Sequence, residues 1–414
     1  MIHPVTTSKD AVFQWRGIPQ PGQLLPLGLQ HVVAAVVGVI TPAILVADTC
    51  GLSSADKTLM IQVSLILTAL ATLLQLFPIF HRIGSGLPVI MGISFAYIPT
   101  LQAIGGEFGL PTILGAEIVG GIVAIVFGVL VKWIRPLFPP LVTGTVIFTI
   151  GLSLYPTAVK YMAGGAGSEW FGSAKSWAVA LITLAVVVFL NHFTKGITKL
   201  ASILIGILAG YVIAYFLGIV DLSGVGSAAW VALPRPMPFD IQFVPAACVS
   251  LGIVYVVNAV QTIGDLSSTT MGGMDRMPTD KELSGGIVGQ GVMSILGAFF
   301  GGLPAATYSQ NVGIVTVNRV INRAVFALAA LILLVAGLVP KFASLLTTIP
   351  QCVIGGATIS VFATITMTGI RMITEGGFTP RKSSVVGLSV ALGVGITQVS
   401  GCLAGEGFPA WVNT

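Results

Sequence analysis

The chain has 414 residues, of which 55% are hydrophobic and only 8% charged, with a formal net charge of +5. A soluble domain carries about 25% charged residues, so a mean hydropathy of +0.99 excludes a water-soluble globule and places the chain in lipid. Lysines and arginines stand in ones and twos between apolar runs, with no basic cluster, so nothing points to a nucleic-acid partner.

Residues 1–23 are polar and Pro-containing and read as an N-terminal segment without a cleavable signal. A spanning helix needs roughly 20 apolar residues. Runs of about that size lie near 25–46, 58–80, 86–103, 112–131, 137–156, 176–192, 200–220, 246–266, 284–303, 307–322, 323–340, 349–370 and 383–402. The third run and its approach hold Gly84, Gly86, Pro88, Gly92 and Pro99; the tenth follows Gly301, Gly302 and Pro304. Glycine and proline weaken helices, so both runs are expected to contain broken or half-helical backbone. At membrane depth such backbone is tolerated only where protein or a water-filled cavity satisfies it.

Placing the N-terminus in the cytoplasm and alternating gives a cytoplasmic side rich in Lys and Arg (Arg16, Arg82, Lys132, Lys195, Lys199, Arg276, Arg371, Arg381 and others). The outer side keeps only Lys57, Lys160, Lys175, Arg235 and Lys341. The positive-inside rule favours this orientation. An internal echo accompanies it: "GLP" opens both broken runs, at 86–88 and 302–304. Pro26 and Pro245, Asp48 and Asp265, and "PLVTG" and "PQCVIG" recur at nearly the same offset. The pattern predicts a duplicated unit of about seven spans, the second copy inverted, with a midplane site at the paired discontinuous helices.

Polar residues at membrane depth are expensive and therefore functional candidates. "LQHVV" carries Gln30 and His31 in the first run, and "GISFAY" carries Ser94 and Phe95 in the third. "NAVQTIGD" carries Asn258, Gln261 and Asp265 in the eighth; "ATYSQNVGIV" carries Ser309, Gln310 and Asn311 in the tenth, followed by Gly313 and Thr316. Gln261 and Asp265, four apart, share a helix face and suit a planar ligand with alternating donors and acceptors, or else bond neighbouring helices. Ser309 and Gln310 are placed just before a helix start, where free N–H groups donate to a ligand oxygen. Phe95 suits stacking on a flat heterocycle. His31 suits either a proton relay or a brace between helices. Glu117 is left open between a pairing with His31 and a backbone partner. The stretch 271–284 reads as a solvated cytoplasmic loop.

No Walker A loop, H-E-x-x-H or nucleophile elbow occurs in the sequence, so an enzyme and an ATP-driven pump both lack support. Cys50, Cys248, Cys352 and Cys402 form no C-x-x-C pair. No metal and no cofactor is expected.

These motifs resemble the nucleobase/ascorbate transporter family, the nucleobase:cation symporter-2 family. Gln310-Asn311-Val312-Gly313 resembles its Q/E/P-N-x-G motif; "QH" at 30–31, "SGLPVIMGISFAYIP" at 85–99, "RPLFPPLVTGTVI" at 135–147 and "GD" at 264–265 also match. The resemblance implies an all-α polytopic membrane protein of 7+7 inverted-repeat fold, with two discontinuous helices. It implies a core domain from residues 24–134 and 245–344, and a gate domain from 135–244 and 345–414 that forms a homodimer contact. It further implies an elevator-type importer of a purine nucleobase, xanthine or uric acid, with proton symport, in the plasma (inner) membrane. Substrate contacts fall on Phe95, Gln261, Ser309 and Gln310, with Asn311 in support. Proton coupling or site support falls on Asp265, His31, Ser94, Gly313 and Thr316.

The chain departs from the family pattern in three places. Gln261 and Gln290 stand where the family usually has acids, and Asn318 where its motif has threonine. The ending "GEGFPAWVNT" leaves the last expected span absent, as in a truncated sequence. The two amides keep open an uncoupled facilitator or channel for a small solute. An anion exchanger of the sulfate or bicarbonate type shares the fold.

Overall fold

In a computed structural model, the structure describes residues 9–399 and 402, except 81, 138, 166, 223, 224, 227, 375, 376 and 378. The expected end at "GEGFPAWVNT" lies outside the described residues.

The order of elements repeats. A long helix α1 (Pro21–Thr49) and α2 (Ser54–Leu76) lead to a short strand β1 (Met91–Ile93), a 3-10 turn (Phe95–Tyr97) and a short α3 (Ile98–Phe108). Then come α4 (Leu110–Ile134), α5 (Pro140–Met162), α6 (Ala174–Phe193), α7 (Ile197–Leu200) and α8 (Ser202–Phe216). The second half opens again with two long helices, α9 (Pro245–Met274) and α10 (Asp280–Phe300), then β2 (Ala305–Thr307) and a short α11 (Ser309–Asn318). It continues with α12 (Arg323–Gly337), α13 (Pro340–Thr347), α14 (Gln351–Thr374) and α15 (Pro380–Gln398). This is the 7+7 inverted-repeat transporter fold, with both discontinuous segments where glycine and proline accumulate.

Several expected boundaries move. Pro78 removes the helical option for Phe77, so α2 ends at Leu76. The expected loop at 271–284 shrinks, because α9 runs to Met274 and α10 begins at Asp280 with a capping box between Thr279 and Glu282. Eight helices among the described residues are long and apolar enough to cross a membrane by themselves. The other expected spans fall outside these eight: α8 has 15 residues, α12 and α13 meet at a 79° bend, and α15 has the length, 19 residues, but is not among them.

The broken segments are not simply interrupted helices. β1 and β2 pair antiparallel, Met91 with Thr307, Gly92 with Ala306 and Ile93 with Ala305. Two such short strands leave outward backbone groups, each worth several kcal/mol if unsatisfied in hydrocarbon. Side chains of the preceding helices take up some of these groups. Met91 N–H donates to Thr72 Oγ1 of α2 at 2.9 Å, and Ala305 N–H donates to Ser294 Oγ of α10 at 3.0 Å. Gln75 of α2 accepts from Ser85 N–H at 2.8 Å and donates to the Gly286 carbonyl at 2.9 Å, tying the approach to β1 onto α10. Gly84 is required there: its φ is +108°, and a Cβ would stand 2.1 Å from the Leu74 carbonyl oxygen.

The chain separates into two compact units. One comprises residues 1–134 and 228–344; the other comprises 135–227 and 345–414. In the second unit α5 and α14 pack closely, with a Cβ on Gly151 or Gly369 colliding with the opposing backbone. In the first unit, which contains both strands, Tyr308 precedes α11 and its buried ring crosses two glycines. A Cβ on Gly38 of α1 would lie 0.9 Å from its hydroxyl, and one on Gly92 would lie 2.8 Å from its ring. Gly38→Ala is therefore expected to displace Tyr308 and cost on the order of 3 kcal/mol, the upper range for overpacking. A clear fall in thermal stability of the purified protein checks this; an unchanged midpoint would show that α1 yields at no cost.

Candidate functional site

The site is built where β2 hands over to α11 and both meet α9. Extended backbone puts Thr307 and Ser309 on one side of the chain, facing Asp265 of α9. Thr307 Oγ1 donates to Asp265 Oδ2 at 2.7 Å, and Ser309 Oγ donates to Oδ1 and Oδ2 at 2.8 and 3.0 Å. One turn back on α9, Gln261 Nε2 donates to the same Ser309 Oγ at 3.2 Å. Gln261 and Asp265 thus share a face, as their spacing predicts, and the Ser309 hydroxyl joins them. Donor and acceptor senses are fixed: the carboxylate accepts, the hydroxyl passes the polarity on, and the Gln261 amide follows.

A second, fully interior network stands behind the first. Gln290 of α10 donates to Asn258 Oδ1 at 2.6 Å and to the Tyr97 hydroxyl at 3.4 Å, and accepts from Thr262 Oγ1 at 2.6 Å. Asn258 Nδ2 donates to Gln261 Oε1 at 3.4 Å. The amides at 261 and 290 are therefore hydrogen-bonded members of one array that fixes the orientation of Gln261. Glu117 lies elsewhere; neither of its carboxyl oxygens bonds to His31 or to any other described group.

Ser309 is the first residue of α11, not a residue ahead of it. The N–H groups of Ser309 and Gln310 make no hydrogen bond with the described residues, as befits the first turn of a helix. The Gln310 side chain, half-buried, has no hydrogen-bond partner among them either, so its amide is free to donate and accept in one plane. Ser309, Gly313 and Thr316 form one exposed stripe of α11, and Gly264 is exposed on α9. A Cβ on Gly313 or Gly264 would meet nothing within 4 Å. Gly313 thus faces open space, and no helix packs on it.

The remaining candidates divide. Asn311 turns away from Gln261 and is fully buried against α1: its Nδ2 lies 3.0 Å from His31 Nδ1 and 3.1 Å from the His31 carbonyl. Since an amide NH2 only donates, Nδ1 is the acceptor. The His31 ring also packs on Phe326 of α12, 4.5 Å between centroids. This pair braces α1 to α11. Thr316 donates to the Val312 carbonyl and packs where Gly272 of α9 leaves room. Ser94 Oγ caps the 3-10 turn by accepting from Ala96 N–H at 3.1 Å. Phe95, 4% exposed, opens that turn, which packs on α9. It therefore stands at the end of the strand pair away from Ser309.

Thr307, Thr262 and Tyr97 were not singled out from the sequence. Thr262 carried a signal, four residues after Asn258 on the same helix face. Thr307 carried one in its two-residue spacing from Ser309, legible only once the backbone there is known to be extended. Tyr97 carried none. Removing one partner of a hydrogen bond to a charged group costs about 1.5–3 kcal/mol. Asp265→Asn is accordingly expected to lower transport efficiency by about tenfold or more at unchanged membrane abundance. Uptake normalised to protein level measures it, and near-normal uptake would remove Asp265 from the site.

Comparison with known proteins places this geometry in context. The Permease family (Xan_ur_permease) matches residues 22–401. A xanthine permease of Bacillus subtilis is 36% identical over 91% of this chain and 86% of its own. The uric acid permease PucK of the same organism is also 36% identical, over 91% of this chain and 88% of its own. Among solved structures, the transmembrane domain of a cyanobacterium bicarbonate transporter, BicA, superposes with a TM-score of 0.63 at 17% identity, covering 91% of this chain and 96% of that one. At that identity the likeness is one of fold.

Proposed function

The chain belongs to the Permease family, the family its Q-N-x-G motif resembles, and on that premise we propose that it imports a purine nucleobase, xanthine or uric acid, with a proton across the plasma (inner) membrane. It is a transporter and not an enzyme. The observation that carries the substrate reading is the run Gln261–Ser309–Asp265 beside the free Gln310 amide and the free N–H groups of the α11 start. A purine base is planar and presents alternating N–H donors and carbonyl or ring-nitrogen acceptors on its edge. Two amides and a helix start offer the complementary set. The relatives' names, xanthine permease and uric acid permease, support a purine.

In this reading Gln310 and Gln261 contact the base edge, Ser309 contributes through its backbone, and Phe95 supplies an aromatic face. Asp265 holds the donor chain in register, with Ser94, Gly313 and Thr316 around the site and Asn311 and His31 bracing it. The unit formed by residues 1–134 and 228–344 is the moving core of an elevator, and the other unit is the gate and dimer contact, with the N-terminus cytoplasmic. One observation favours a second reading, an uncoupled facilitator: the amides Gln261 and Gln290 occupy the network where an acid would couple a proton.

Uptake of labelled xanthine, urate, guanine and uracil in a strain lacking its own purine uptake, with and without a protonophore, tests both. One purine is expected to accumulate and to leak out when the protonophore is added. Gln310→Ala is expected to raise KM for it about tenfold or more, the cost of one lost hydrogen-bonding side chain on a polar ligand. Equilibration without accumulation, indifferent to the protonophore, would leave the facilitator. No purine uptake at all would end the substrate reading.

A further inference from the structure

Glu117 lies in the middle of α4, fully buried. Gly120, Gly121, Ala124 and Gly128 continue its helix face, and they let two other helices come unusually close. A Cβ on Gly120 would be 2.1 Å from the Tyr255 ring of α9, and one on Gly121 would be 2.8 Å from the Gly291 carbonyl of α10. On the facing side of α10, a Cβ on Gly297 would stand 3.4 Å from Glu117 Oε1. The carboxyl is enclosed between α4, α9 and α10, and neither oxygen has a hydrogen-bond partner among the described residues. No described lysine, arginine or histidine forms an ion pair with it.

The titratable groups facing it are two phenols, Tyr97 from the 3-10 turn and Tyr255 from α9, their rings tilted at 54° with centroids 4.9 Å apart. The other ionisable groups of the packed elements stand off. Asp280, Lys281 and Glu282 occupy the far first turn of α10, Glu107 the exposed end of α3, and Asp265 and Asp275 lie further along α9. Burying an ionised carboxylate without partners is far costlier than burying the neutral acid. Helix glue is a poor account of a group that bonds to nothing. Asp265 makes the opposite case, since both its oxygens are occupied by hydroxyl donors. A polar path also leads from Glu117's surroundings to the site, from Tyr97 through Gln290 and Asn258 to Gln261.

We propose that Glu117, rather than Asp265, is the group that carries the coupled proton. A proton from one side of the membrane forms the O–H bond on the Glu117 carboxylate, and the same bond breaks when the proton is released on the other side. No other atom is exchanged. The assignment rests on the reading of the protein as a proton-coupled purine importer. It explains how that reading survives with amides at 261 and 290.

The test uses the full chain in proteoliposomes with labelled xanthine and urate, comparing wild type, Glu117→Gln and Glu117→Asp. Two transport readouts are taken: exchange of internal for external purine, and accumulation driven by a pH gradient. A third is the infrared band of a protonated carboxylic acid. At one proton per purine, each pH unit drives an accumulation of about tenfold. Glu117→Gln is expected to keep exchange, lose that accumulation and lose the carboxylic-acid band. Glu117→Asp restores part of both, which also answers any failure of the amide variant to fold. Gradient-driven accumulation in Glu117→Gln equal to wild type overturns the proposal, as does wild type that exchanges purine without responding to the gradient. If wild type exchanges no purine, the substrate reading fails on its own. The band then still decides Glu117: its loss in the amide variant supports a proton site there, and its persistence overturns it.

Discussion

Everything at the candidate site depends on backbone that must satisfy its hydrogen bonds without water. Hydrocarbon offers no partner to an N–H or C=O, so an extended stretch inside the membrane survives only if another stretch pairs with it. Here the two repeats supply that stretch to one another, three residues each, and Thr72 and Ser294 take two of the remaining groups. The pairing lets α11 begin in mid-membrane with Thr307 and Ser309 both presented to Asp265. Tyr308 between them is buried on the other side and locked over Gly38 and Gly92. The alternation of a strand therefore sorts the polar residues to the site and the aromatic residue to the packing.

The polar chemistry is arranged in two layers. The outer layer is a chain with one sense of polarity that ends on a single carboxylate, and the inner layer is neutral. Amides suit this position because each can donate and accept at once, so Gln290 joins Tyr97, Asn258 and Thr262 without introducing a charge. Acids in their place would need counter-charges or protons, and no lysine or arginine is buried among the described residues.

How much of this was legible in the sequence follows from the range of each interaction. The low charge, the long apolar runs and the glycine–proline breaks are local, and they fixed the membrane class and the positions of both broken segments. The Gln261–Asp265 face was legible because it needs only helical periodicity. The hydroxyl that joins the two was not, because Ser309 comes from another element of the same repeat, 44 residues beyond Asp265. Asn311 sits next to Gln310 in sequence but projects from another side of the helix, where it bonds to His31 of α1. The loop expected at 271–284 shrinks to 275–279 for a different reason. Its Ser/Thr-rich approach looks polar, yet Thr270 returns its hydroxyl to the Leu266 and Ser267 carbonyls of its own helix and α9 simply continues.

The strand pair also bears on how the protein is made. β1 emerges from the ribosome early and β2 only after eight further α-helices, including α9 and α10. Until then the free edge of β1 has no partner strand, whatever side chains of α2 shield it. The first repeat must therefore wait in the membrane in an unfinished state, and the binding site comes into existence in one late step, when the second repeat closes the ladder. Assembly of this permease is then a meeting of two halves that are each incomplete, and quality control has a defined moment at which to tell a finished molecule from an unfinished one.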